Sequence, residues 1–140
     1  MSETVATVDL GVRWEPNAPE ARLVVTDGGS AVLTLAAHFD DIDQRLVALR
    51  WTGTLLATMS APNDEARQGH RLYDVGLAAV TWAGEVASSA LIADLERQNS
   101  VHPRHDPAAF TGLRHWVLPL KECVVEVVAA EISVERTADG

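Results

Sequence analysis

Apolar and polar residues alternate along most of this chain, which is the pattern of half-buried β-strands. The alternation predicts strands over residues 4–14, 22–26, 31–39, 45–59, 77–86, 113–120 and 123–135. The glycines of Asp27-Gly28-Gly29-Ser30 predict a hairpin turn between the second and third of these runs. Gly53 lies inside the longest run, where it predicts a bulge or a bend.

One segment has helical rather than strand character. Ser88 or Ser89 can cap a helix that continues to about Asn99 and carries a stripe of leucine and isoleucine. About seven strands with short turns and one helix predict a mostly β, α+β domain, in which an antiparallel sheet curls into a barrel or sandwich and the helix packs on it. An α+β roll is the alternative. We expect one domain over residues 1–140, frayed at 1–3 and 136–140.

The last predicted strand carries an acid on its apolar side. Alternation places Glu126 on the same face as Val124 and Val128, whereas Glu131 and Glu135 lie on the wetter face. A buried carboxylate is costly unless it is paired, hydrogen-bonded or protonated. We therefore predict that Glu126 is mostly buried and has a polar partner, with three residues favoured: His115, Arg114 and Arg50.

His115 shares a face with Leu113 and Val117 on the preceding predicted strand. A histidine on an apolar face is more often a satisfied core residue than a catalyst. A tight hairpin would bring it near Glu126, and the carboxylate would then fix the tautomer of the imidazole. Such a pair can be structural or can serve as a general base in a cleft. His115 and Glu126 are accordingly the candidate catalytic residues.

Two polar loops, residues 60–74 and 101–109, supply the candidate ligand-binding residues, although a solvated loop is their simpler interpretation. If both loops surround one mouth of the sheet, their ionisable groups should approach one another. Tryptophans could form the walls of such a pocket, although core packing is their commoner role. The candidates for ligand binding are His70, Tyr73, Trp82, His105 and Trp116.

Signatures of cofactor and metal chemistry are weak in this sequence. His102 and His105, followed by Asp106, could ligate a metal, but Pro103 blocks the helix that would align them. There is no phosphate-binding glycine loop, no G-x-S-x-G and no H-E-x-x-H. We expect neither a metal nor a cofactor.

Composition narrows the partners further. The net charge is −9 and the 11 Lys and Arg residues are scattered, which argues against nucleic acid and against anionic membrane surfaces. Cys123, the single cysteine, cannot form an intrachain disulfide and is predicted to be an inert core thiol. No apolar run has the length of a membrane span and no signal peptide is visible, so we expect a cytoplasmic protein. A homodimer is compatible with the sequence.

Three short stretches resemble those of a group of small uncharacterised bacterial proteins. They are Pro62-Asn63-Asp64-Glu65, Gly69-His70-Arg71-Leu72-Tyr73 and Leu113-Arg114-His115, and the similarity extends over residues 51–130. The resemblance implies a bacterial cytoplasmic origin and a functional surface near the two polar loops, but no reaction. In that group a His-Asp pair opens the last strand, whereas Lys121-Glu122 stands here. A histidine-dependent site at that place would be lost in this chain.

Three functions follow as hypotheses. The first is a domain that binds a small molecule in a cavity at the mouth of the sheet, with tryptophan walls and His115, Glu126, His70 and Tyr73 as polar anchors. The second is a cofactor-free biosynthetic enzyme, a cyclase, isomerase or hydrolase, that uses the same residues as acid and base. The third is an acidic interaction or immunity-type protein. A cavity that reaches Glu126 would favour the first two.

Overall fold

The computed structural model describes residues 2–18 and 20–138. Within this part of the chain there are nine strands, two α-helices and three 3₁₀ turns. The strands are β1 (Thr4–Thr7), β2 (Arg22–Thr26), β3 (Ser30–Leu35), β4 (Leu46–Thr52), β5 (Leu56–Ser60), β6 (Gly84–Ala87), β7 (Arg114–Pro119), β8 (Val124–Ala129) and β9 (Glu131–Thr137). The helices are α1 (Ala90–Asn99) and the single turn α2 (Ala108–Thr111), and the 3₁₀ turns are Asp64–Gly69, Tyr73–Val75 and Leu77–Ala79.

All strand pairs are antiparallel, and they form two sheets. The first sheet has the order β1-β6-β7-β8-β5 and the second has the order β2-β3-β4-β9. This confirms the predicted mostly β, α+β fold class. Of the architectures considered, an open sandwich fits, because neither sheet closes on itself among the described strands. Two of the predicted strands are in fact two strands each, which accounts for the larger strand number.

A bent two-stranded ribbon joins the sheets. The predicted strand 45–59 is divided into β4 and β5, and the predicted strand 123–135 into β8 and β9. β4 pairs with β9 in the second sheet, and β5 pairs with β8 in the first. Between the two ladders, the amide of Ala130 donates to the carbonyl of Thr52 at 3.0 Å, so the ribbon is continuous through the bend.

Gly53 makes this bend sterically feasible. Its φ is +64°, a conformation that residues with a side chain rarely adopt. A Cβ atom at this position would lie 2.9 Å from the Cβ of Ala130 on the partner strand. The predicted bend at Gly53 is therefore confirmed, and it is the point at which the chain passes from one sheet to the other.

Two apolar clusters cover the two faces of the first sheet. The cluster between the sheets includes Trp51, Trp116 and Val127, whereas the cluster on the outer face includes Leu72, Val117 and Val124. Residues 63–80 form much of the outer cover, and they contribute Leu72, Leu77 and Val80 to the second cluster. All six residues of β8 are consequently buried, as in a strand covered on both faces.

Two predicted strands are largely irregular. The prediction of a strand over 77–86 was wrong for most of its length, because Leu77–Ala79 is a 3₁₀ turn and only Gly84–Ala87 forms β6. The apolar side chains of this stretch cover the sheet instead of extending it. Gly76 permits that close approach, since a Cβ there would lie 2.2 Å from the carbonyl oxygen of Val5. The predicted strand 4–14 ends at Thr7, although Trp14 forms an isolated bridge with Ala37.

The C-terminal strand extends further than predicted. Arg136 and Thr137, expected in the frayed end, belong to β9 and pair with Val47 and Leu46. Residues 1, 139 and 140 of the predicted frayed ends lie outside the described residues. Across the described chain, no helix combines the length and the apolar character that crossing a membrane requires.

Replacing Gly53 by alanine should destabilise the protein, because the backbone conformation is costly for an L-residue and the new methyl group meets Ala130. We expect a loss of about 1–2 kcal/mol from the backbone term alone. Gly28→Ala is the matched control, since a Cβ at Gly28 meets nothing within 4 Å. Urea denaturation of both variants measures the effect. Equal stability of the two variants would contradict the assignment of Gly53 as the bend.

Candidate functional site

The side chain of Glu126 lies on the outer face of β8, beneath the cover formed by residues 63–80. Its residue is only 6% exposed. Val117 is its direct neighbour on β7, and His115 lies two residues from Val117 on the same face. The prediction that Glu126 is buried and has a polar partner is confirmed.

Two side chains donate to the carboxylate of Glu126, and a third lies close to it. Oε1 accepts from Nε2 of His115 at 2.8 Å and from Nη2 of Arg71 at 2.7 Å. Oε2 accepts from Nη1 of Arg71 at 2.8 Å and faces Nε2 of His70 at 3.4 Å. Arg71 therefore holds the carboxylate in a bidentate pair, the strongest geometry for such an interaction. We call Glu126, His115, Arg71 and His70 the carboxylate centre.

The hydrogen bonds of the carboxylate centre fix the tautomers of its histidines. His115 is fully buried, and its Nδ1 lies 2.7 Å from Oγ of Ser89. Because Nε2 faces a carboxylate and must carry the hydrogen, Nδ1 accepts the hydroxyl hydrogen of Ser89. Nδ1 of His70 accepts from the amide of Leu72, which leaves the hydrogen on Nε2. Both imidazoles thus turn Nε2 toward Glu126.

Charge balance keeps Glu126 ionised. Burial raises the pKa of Glu126, but hydrogen bonds from His115 and Arg71 outweigh this and lower it to about 2. The guanidinium of Arg71 balances the one negative charge. For His70, burial lowers the pKa more than the attraction of Glu126 raises it. The Glu126–Arg71 ion pair is therefore the fixed charge pair of the carboxylate centre, and burial favours the neutral form of His70.

The arginine of the centre differs from those predicted. Arg114 pairs instead with Glu85, at 2.6 Å, and Arg50 lies 3.5 Å from Glu135. Arg71 comes from the first polar loop, which reaches Glu126 across the outer face of the sheet. Its side chain is 46% exposed, so it is also the member of the centre that meets solvent most.

The other predicted ligand-binding residues do not join this centre. Trp116 is fully buried between the sheets, on the opposite face of β7 from His115. His105 contacts Asn99, Glu96 and Phe110, and none of its contacts among the described residues involves His70 or Tyr73. Tyr73 follows His70 within hydrogen-bonded turns, where its amide donates to the carbonyl of His70. These contacts do not join the two polar loops, and a site shared by both loops stays a prediction.

A separate cavity of about 490 Å³ lies next to the end of β1. We call it the tryptophan cavity. The lining residues are Thr7, Val8, Asp9, Leu10, Val12, Arg13, Trp14, Ala79, Thr81, Trp82 and Ala83. Trp82 is thus the one predicted ligand-binding residue found in its wall. Glu126 and His115 do not contribute to this wall, so the cavity does not reach the carboxylate centre.

Sequence reasoning missed Arg71 and Ser89. Arg71 was visible only as the neighbour of His70, and Ser89 only as a helix cap. The structure confirms the capping role, because Oγ of Ser89 accepts from the amide of Ile92 at 3.1 Å. It adds the contact with His115, which no local pattern could indicate.

Cys123 is half-buried in the turn before β8, and burial raises the pKa of its thiol.

Comparisons with known proteins add no assignment. No protein-family model matches the sequence, and neither a curated protein nor a solved structure matches it significantly. The resemblance of three short stretches to a bacterial group therefore stays a prediction, as does the cytoplasmic location. Among the described residues, no group of three or more His, Cys, Asp or Glu side chains could hold a metal ion.

Glu126→Gln should destabilise the protein by about 2–4 kcal/mol, because the new amide group would turn an N–H toward the donors of Arg71 or His70. Glu135→Gln is the matched control. It removes the partner of Arg50 on an exposed part of β9 and should change stability by less than about 0.5 kcal/mol. Urea denaturation at pH 7 gives both values. A Glu126→Gln variant as stable as wild type would contradict the buried pair.

The contribution of Glu126 should disappear in acid. Its folded pKa, about 2, lies below the value of about 4.3 in an unfolded chain, so its stabilisation is complete above pH 4.3. As the pH falls from 4.3 towards 2, a contribution on the order of 3 kcal/mol is lost. The stability difference between wild type and Glu126→Gln, measured by denaturation, should be constant from pH 7 to 5 and then shrink. A difference that stays constant down to pH 2.5 would contradict this.

Proposed function

We propose that the protein binds a small, largely apolar molecule in the tryptophan cavity. The observation that carries this proposal is the cavity itself, with about 490 Å³ of space and two tryptophans in its wall. Pockets for metabolite-sized ligands have volumes of roughly 300–1,000 Å³ and are mostly apolar, with a few polar groups. Trp14, Trp82, Leu10 and Val12 supply the apolar part here.

The walls of the cavity are held in place by the fold. The amide of Val8 donates to the carbonyl of Ala83 at 2.9 Å, which ties the N-terminal segment to the turn before β6. Nε1 of Trp82 donates to the carbonyl of Trp14 at 2.9 Å, and Trp14 bridges to Ala37. The cavity therefore lies where the N-terminal segment crosses from the first sheet to the second, at a mouth of the sandwich.

The polar groups of the cavity suit a ligand with a hydrogen-bond acceptor. Arg13 at the rim is 49% exposed and bonds to Asp40 at 2.9 Å. An apolar body packed on Trp82, with an oxygen or ring nitrogen near Arg13, matches this lining.

The alternative hypothesis, an acidic interaction protein, receives less support from the acidic turn after β3. Phe39 and Ile42 are 78% and 101% exposed in the acidic turn after β3, as a docking loop would be. The acids of this turn, however, already pair within the chain: Asp40 with Arg13, Asp41 with Arg136 and Asp43 with Arg45. A basic partner would have to compete with these arginines.

The fluorescent probe N-phenyl-1-naphthylamine tests the binding proposal. Because the probe is uncharged, the net charge of −9 neither attracts nor repels it. We expect saturable binding to the wild type. Ala79→Trp should weaken it at least tenfold, because Ala79 is exposed and lines the cavity, so an indole there fills the space. Fluorescence titration gives the dissociation constants.

Ala78→Trp is the matched control, since Ala78 is the exposed neighbour in the same 3₁₀ turn and does not line the cavity. It should bind the probe as the wild type does. Probe binding that is equally strong in both variants, or equally weakened in both, would contradict the cavity as the binding site. Thermal melting confirms that each variant is folded.

A further inference from the structure

Ser89 lies at a sharp connection between a strand and a helix. β6 ends at Ala87, α1 begins at Ala90, and only Ser88 and Ser89 connect them. Ser88 has a φ of +56°, and it is the only residue other than glycine with positive φ in the described chain. Strained residues of this kind cluster at active sites, and a strained strand-to-helix turn is the geometry that presents a nucleophilic serine in many hydrolases.

The hydroxyl of Ser89 is connected to the carboxylate centre. Oγ lies 2.7 Å from Nδ1 of His115, and Nε2 of His115 lies 2.8 Å from Oε1 of Glu126. A base touches the hydroxyl, and a third group orients that base, which are the contacts that activate a serine. Ser89 is half-buried, whereas His115 and Glu126 are buried, so Ser89 is the most exposed of the three residues.

A carboxylate already lies where a reacting oxygen would bind. The amide of Ala90, the residue after Ser89, donates to Oε2 of Glu3 at 2.9 Å. The backbone N–H that follows a nucleophile is a common donor to the oxyanion of an acyl-transfer reaction. Glu3 precedes β1, which pairs with β6, and this pairing brings its side chain to the turn.

We propose that Ser89, His115 and Glu126 form an acyl-transfer site that cleaves small activated esters. This site is independent of the ligand-binding function proposed above, because Ser89 does not line the tryptophan cavity and lies beyond the other end of β6.

The reaction follows from the contacts. Oγ of Ser89 attacks the ester carbonyl while its proton passes to Nδ1 of His115, and the resulting imidazolium is held by the Glu126 carboxylate. The carbonyl oxygen, having displaced Glu3, receives the hydrogen bond of the Ala90 amide. The bond to the alkoxy group then breaks, and the proton on Nδ1 passes to the departing alcohol. Water then attacks the acyl-serine while one of its protons passes to Nδ1 of His115. The bond between the acyl carbon and Oγ breaks, the proton on Nδ1 returns to Oγ of Ser89, and the carboxylic acid is released.

Hydrolysis of p-nitrophenyl acetate and labelling by diisopropyl fluorophosphate test the proposal on the intact chain. We expect a burst of nitrophenol, and a single phosphoryl adduct that mass spectrometry places on Ser89. Ser89→Asn keeps an oxygen that can cap α1 but removes the nucleophile, so its rate should fall at least 100-fold while it remains folded. Ser133→Ala, at an exposed serine of β9 in the second sheet, is the control and should stay within twofold of wild type.

Several outcomes would overturn the site. One is a phosphoryl adduct at a residue other than Ser89, or no adduct at all, in protein whose melting temperature is normal. Another is a Ser89→Asn variant as active as the Ser133→Ala control. Glu3→Ala tests the oxyanion position, because removal of the competing carboxylate should raise the rate at least twofold. An unchanged or lower rate would overturn the role of the Ala90 amide.

Discussion

The ionised carboxylate of Glu126 is the constraint to which the outer side of the first sheet is adapted. A carboxylate on a face otherwise covered by valine and leucine needs donors from whatever packs there. β7 supplies His115, and the segment over the sheet supplies His70 and Arg71. The need for hydrogen-bond partners extends beyond the carboxylate. Nδ1 of His115 bonds to the hydroxyl of Ser89, which also caps α1. One charge thus orders a strand, a loop and a helix.

The carboxylate centre is not expected to stabilise the fold more than apolar residues in the same place would. Replacing a buried ion pair by apolar residues of similar volume is often neutral or even stabilising, because desolvation offsets the attraction. The surroundings of Glu126 would accept an apolar side chain, since Val117 and Val128 flank it across and along the ladder. The retained carboxylate therefore suggests a role in positioning the cover or in orienting His115 for chemistry. The contact with Ser89 fits both roles, because the second nitrogen of a buried imidazole needs a hydrogen-bond partner in either of them.

The sequence was informative about this centre where the interaction is local. Glu126 and His115 belong to adjacent strands of one hairpin, 11 residues apart, and strand periodicity alone places them on one face. Arg71 lies 55 residues from Glu126, in turns that have no regular period. Arg114 and Arg50 were favoured because they lie on strands, where periodicity gives a direction. The path of an irregular loop over a sheet depends on tertiary packing, which alternation does not encode.

The limits of strand periodicity also explain why some strand boundaries were predicted wrongly. Alternation continues through a bend, so β4 with β5 and β8 with β9 each look like one strand, and only Gly53 marks the corner. The stretch 77–86 is apolar because it covers the sheet, and composition cannot distinguish a strand from a turn that covers one.

β6, the short strand that remains, has Ala83 and the tryptophan cavity before its first residue and Ser89 after its last. β1 runs beside it, with Val8 bonded to Ala83 at one end and Glu3 bonded to Ala90 at the other. The two proposed sites therefore share a supporting strand pair but no lining residue, and each can be tested while the other is intact.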